Sequence, residues 1–131
     1  MSLIWPINAT LILIRQRRIE QPNFEWVANY EHNQIWTRIS LQILIIDGFY
    51  TSARQCQIKW QALKSGYENL AYILNSNPDD HMIRSPNRYD RLFHEEMSDE
   101  FWISISDYLI HLLLFFKAIY LYILLILFYY F

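Results

Sequence analysis

Between Thr51 and Leu74 apolar residues recur with the period of a helix. Cys56, Trp60, Leu63 and Tyr67 stand at i, i+4, i+7 and i+11, on one side of a helix with 3.6 residues per turn. At about 100° per residue, Arg54, Gln57, Ile58, Gln61 and Ser65 fall on the far side, with Lys59 and Lys64 on its flanks. Ser52 and Gln55 have capping-box spacing, so the helix is predicted to open there. Gly66 costs it about 1 kcal/mol relative to alanine without stopping it before Leu74. Upstream, Ile35, Trp36, Ile39, Ile43 and Ile46 mark one face of a second helix. It is predicted from a cap at Asn33 to about Ile46, with Gly48 supplying a left-handed end. Only a tight turn fits between Asp47 and Thr51, so the two helices form a helix-turn-helix pair.

A first helix is predicted from Ile7 to Glu20, with Pro6 at its opening turn. Its first half, through Ile14, is apolar nearly all round, and Arg15, Arg17 and Arg18 follow. That basic run reads as a phosphate clamp, an import signal or a solvated helix end favoured by the dipole. Pro22, Asn23, Asn29 and Asn33 make Gln21 to Asn33 a long connection, which Phe24, Trp26 and Tyr30 are expected to fold onto the core.

Beyond the third helix, Asn75 to Asp90 holds Pro78, Pro86 and several asparagines, and reads as an exposed linker. Tyr89, Leu92, Phe93 and Met97 then suit a short amphipathic helix packed on the domain. His94-Glu95-Glu96 lacks the second histidine of a zinc-protease helix and reads as solvated charge. From Tyr108 to Phe131 the hydrophilic residues are His111 and Lys117, and the length suits a membrane span. A central lysine costs roughly 2.5 to 3.5 kcal/mol, which the surrounding Leu, Ile and Phe can offset. Two alternatives stand beside the span: a buried extra helix, or translated non-coding DNA, since Leu, Ile, Phe and Tyr have AT-rich codons. No secretory signal is expected, because Trp5 and Pro6 interrupt the first apolar run.

Charge divides the chain. Residues 1–75 hold seven Lys/Arg against five acids, whereas 76–107 hold three arginines against eight acids. The helical region is therefore only weakly basic, short of the stripe of a strong non-specific DNA binder. A single cysteine excludes a disulfide framework or multi-cysteine zinc site, and Cys56 reads as a small buried hydrophobe. Four scattered histidines and two glycines offer neither ligand spacing nor a phosphate loop, so no enzyme, metal or cofactor is expected.

Gln55-Cys56, Lys59-Trp60, Leu63-Lys64 and Tyr67, with Trp36 and Trp5 upstream, resemble the Myb/SANT-like (trihelix-type) DNA-binding domains. The likeness covers roughly Trp5 to Leu74. It implies an all-α, homeodomain-like three-helix bundle whose aromatics form a small core and whose third helix enters the major groove. The expected organisation is such a domain over 1–75, an acidic extension with a short helix over 76–107, and an apolar C-terminal helix over 108–131. Expected core residues are Trp5, Trp36, Cys56, Trp60, Leu63 and Tyr67. Arg54, Gln57, Ile58 and Gln61 are expected at base edges, and Arg38, Lys59 and Lys64 on phosphates. The expected partner is double-stranded DNA in the nucleus, in the manner of a transcription factor or a transposon-derived binder. The alternatives are a SANT-type module meeting chromatin proteins and, if the tail is genuine, a tail-anchored membrane adaptor.

Overall fold

The computed structural model describes residues 3–75, 88–103 and 105–131. The described chain is helical: α1 (Ile7–Ile19), α2 (Gln21–Trp26), a 3₁₀ turn at Asn29–Glu31, α3 (His32–Asp47), α4 (Ala53–Asn75), α5 (Arg88–Glu96) and α6 (Ile105–Tyr130). It forms two compact units, Met1–Phe101 and Trp102–Phe131.

In the first unit α1, α3 and α4 pack around Ala9, Leu13, Ile14, Ile35, Trp36, Ile39, Ile43, Cys56, Trp60, Leu63 and Tyr67, all buried. Pro6 stands just before α1, and its carbonyl accepts both the backbone amide and the hydroxyl of Thr10 at 3.0 Å. The all-round apolar character of α1 has a packing reason. It meets α3, α4 and α5, which bury Ala9, Leu13 and Ile14 and leave Leu11 and Ile12 half-buried, although Ile7 is exposed.

The Gln21–Asn33 connection is more ordered than its asparagines suggest. Pro22 in the first turn favours α2, where proline loses no amide bond, and Asn23 Nδ2 donates to the Glu20 carboxylate at 2.8 Å. Phe24 turns inward against Trp36 and His32, at 5.1 and 5.0 Å between ring centres. Trp26 and Tyr30 do not fold onto the core. They are 86% and 83% exposed, because α2 and the 3₁₀ turn point them outward. Asn33 is not the cap of α3 either, since the helix continues directly from that turn and starts at His32. Ile46 departs from the expected face and is exposed at the helix end.

Gly48 closes α3 with φ 76° and donates its amide to Leu44 O at 2.9 Å. A Cβ there would meet nothing within 4 Å, so the glycine serves backbone conformation alone. Phe49 in the turn packs on Trp5 at 5.0 Å. α4 then opens with both bonds of the capping box: Gln55 N donates to Ser52 Oγ at 3.1 Å and Ser52 N to Gln55 Oε1 at 2.8 Å.

The polar break expected from Asn75 to Asp90 falls mostly on 76–87, outside the described residues. α5, by contrast, belongs to the first unit, with Phe93 and Met97 buried against α4 and α1. Leu92 stays exposed, and the Tyr89 side chain is outside the described set. After α5 the chain turns through Glu100 (φ 49°), whose carboxylate accepts the Tyr67 hydroxyl at 3.0 Å, and Phe101 reaches Trp60 at 5.5 Å. The compact unit thus runs past residue 75, because residues of the acidic extension complete its core. Each fully buried Phe or Met contributes roughly 1.5–3 kcal/mol.

In the second unit, the stretch Leu109–Tyr130 of α6 is a 22-residue helix of mean hydropathy 2.4, none of it buried.

Candidate nucleic-acid interface

α4 divides by face. Cys56, Trp60, Leu63, Tyr67 and Leu70 are buried, while Arg54, Gln57, Ile58, Gln61 and Ser65 are exposed. Among the described residues, the side chains of Arg54, Gln57, Gln61 and Lys64 make no hydrogen bond or ion pair. Their donors and acceptors are free to meet another molecule. Ile58, 56% exposed in their midst, adds apolar surface.

The expected phosphate contacts are placed differently from one another. Lys64 is half-buried on one flank of α4. Lys59 is half-buried on the other flank, in the wall of a pocket shared with Trp5, and desolvation lowers its pKa. Arg38, on α3, is exposed but bound to Glu20, Nη2 to Oε2 at 2.9 Å and Nε to Oε1 at 3.2 Å. The hydrogen bond from Arg38 holds the Glu20 carboxyl below its usual value.

Of the expected core residues, Trp36, Cys56, Trp60, Leu63 and Tyr67 are buried, and Trp5 is half-buried against Phe49. Burial pushes the Cys56 thiol up to about 11.

The basic run of α1 is not wholly a solvated helix end: Arg17 is buried, whereas Arg15 stays exposed. Arg17 is 8% exposed, with its guanidinium carbon 3.9 Å from the Phe24 ring centre, 5.3 Å from Trp60 and 5.9 Å from Trp36. It donates to Gln21 Oε1 at 2.5 Å, and its Nε has no partner among the described residues. Burial lowers its pKa to about 10, so it stays charged at neutral pH. Arg15 pairs with Glu96 at 3.3 Å, and Arg18 with Asp99 at 3.1 Å while lying over Phe101. These arginines tie α1 to α4 and to the end of α5. A sign of the Arg17 role is readable in the sequence, since Ala9, Leu13 and Arg17 share one stripe at i, i+4 and i+8.

The His94-Glu95-Glu96 run is likewise not all solvated charge. His94 stacks on Tyr67 at 4.9 Å and Glu96 meets Arg15. Among the described residues no group of three or more His, Cys, Asp or Glu could hold a metal.

α3 and α4, joined by a short turn, form a helix pair of an all-helical domain, and α4 carries a polar, exposed face. The Myb/SANT-like DNA-binding domain family matches residues 2–99, about three quarters of the chain, and the protein belongs to that family. The match takes in α5, in keeping with its place in the compact unit. No curated protein and no solved structure matches the chain.

Proposed function

We propose that the protein binds duplex DNA in a sequence-selective way through α4, as a nuclear, transcription-factor-like or transposon-derived binder. Arg54, Gln57, Ile58 and Gln61 meet base edges, and Lys64 and Arg38 meet phosphates, Arg38 by exchanging Glu20 for the backbone. Lys59 is left out of this face because its flank of α4 is turned into the pocket beside Trp5. The observation that carries the reading is the exposed run of unengaged amides and arginine on a helix fixed by a capping box at one end and by buried Trp60 and Tyr67 at its back. Amides pair bidentately with adenine and arginine with guanine, whereas lysine neutralises phosphate without reading sequence.

The test is fluorescence anisotropy of the full chain on selected and random duplexes across a salt series. Gln61→Ala is expected to relax sequence preference, and Lys64→Ala to weaken all duplexes alike with the log–log salt slope smaller by about one. Equal effects from both changes overturn this division. No binding by the folded chain at low salt transfers the α4 face to a chromatin protein, the SANT-type alternative.

A second reading concerns α6 and is favoured by its wholly unburied apolar surface. Its 22-residue span rises roughly 33 Å at 1.5 Å per residue, against a hydrocarbon core of about 30 Å. Tyr129 and Tyr130 stand at one end, where aromatic rings suit the headgroup level. In this reading α6 anchors the helical head at a membrane. Resistance to alkaline carbonate extraction supports it, and release into the supernatant rules it out.

A further inference from the structure

A pocket of about 740 Å³ opens between the segment leading into α1, one flank of α4, and α5. That volume lies within the range of small-molecule sites, and such sites combine apolar walls with a few placed polar groups. Here Ile4, Trp5, Leu63, Phe93 and Met97 supply apolar wall, and Lys59 supplies a cation. Lys59 makes no hydrogen bond or ion pair among the described residues, so no carboxylate neutralises it. Its lowered pKa has desolvation as its cause, with no acid opposing it. Of the other polar groups of the lining, Thr10 donates to Pro6 O and the Tyr67 hydroxyl to Glu100, while Ser65 and Asn69 are neutral and bring no counter-charge.

A half-buried cation without a counter-charge, beside apolar surface, is complementary to a molecule with one negative charge and an apolar body. We propose that this pocket binds a small amphipathic monoanion, a carboxylic acid whose carboxylate meets Lys59 Nζ and whose apolar body lies against the wall that includes Trp5 and Phe93. One cation suits one charge. A nucleic-acid strand would bring further phosphates that this wall cannot solvate, so the site is distinct from the proposed DNA face although both use α4. The inference does not rest on the DNA reading.

The test uses the full chain with pyrenebutanoate and its neutral counterpart pyrenebutanol, read by energy transfer from the tryptophans. A charge-assisted contact at Lys59 predicts that the acid binds about tenfold more tightly than the alcohol. Lys59→Met should bring the two ligands to equal affinity, and Ala62→Trp, at an exposed position of the lining, should weaken both. Equal affinity of acid and alcohol for the wild-type chain, a preference that survives Lys59→Met, or no saturable binding of the acid overturns the proposal. Should Lys59→Met fail to fold by circular dichroism, the wild-type ratio together with Ala62→Trp decides it.

Discussion

Arg17 sits where α1, α2, α3 and α4 converge, a guanidinium among Phe24, Trp36 and Trp60. Its charge is costly to bury and its Nε is unsatisfied, so its value lies in cation–π contact and in filling space between the aromatics. Arg17→Ala removes both and is expected to cost about 2–4 kcal/mol in urea unfolding. Arg17→Met keeps most of the volume and should cost less. Equal losses would show that charge rather than packing matters.

Cys56 makes an independent prediction at the same scale. Fully buried, its thiol should resist disulfide reagents at pH 8 until the chain unfolds. Its folded pKa is raised from 9.0 to about 11, so the unfolded thiol ionises first as pH rises. Stability from this group is whole below pH 9 and lost by about pH 11, a change of roughly 3 kcal/mol absent from Cys56→Ala. Stability curves of the two proteins across that interval check it.

Helix ends decide how α3 and α4 meet. The capping box at Ser52 satisfies two backbone amides reciprocally, and Ser52→Ala is expected to cost about 1 kcal/mol. Gly48→Ala should also destabilise, by about 1 kcal/mol, solely because φ is positive, since space for the Cβ is open. Chemical denaturation checks both. Between elements, Glu20 holds Arg38 in a partly exposed pair worth less than about 1 kcal/mol. Because the Glu20 carboxyl is depressed, that small contribution is present at neutral pH and lost as pH falls below 4.5 through the folded value. Glu20→Gln releases Arg38 and, on the proposed function, is expected to tighten duplex binding at low salt and steepen its salt dependence. An unchanged affinity would exclude Arg38 from the interface.

For the whole molecule, the all-α class and the three principal helices were legible because their stripes are long, periodic and punctuated by Pro6, Gly48 and Ser52. The polar face of α4 was legible for the same reason, since a helix wheel locates exposed residues once the core stripe is known. Placement of the cations was not legible. Lys59, Lys64 and Arg38 look alike in a sequence, yet one lines a pocket, one flanks the proposed DNA face and one is held by Glu20. The α2 turn was obscured by Pro22 and Asn23, and the inclusion of α5 by the polar stretch before it.

Local periodicity and helix-end chemistry, both written in neighbouring residues, determined the helices, their amphipathic faces and the apolar character of α6. Only the tertiary structure decided that Arg15 and Arg18 bind the end of α5 and the turn after it, and that Phe93, Met97 and Phe101 complete the core. Those facts depend on contacts between residues about eighty positions apart in the arginine pairs. A spacing rule that reaches one or two helical turns carries no information about such contacts.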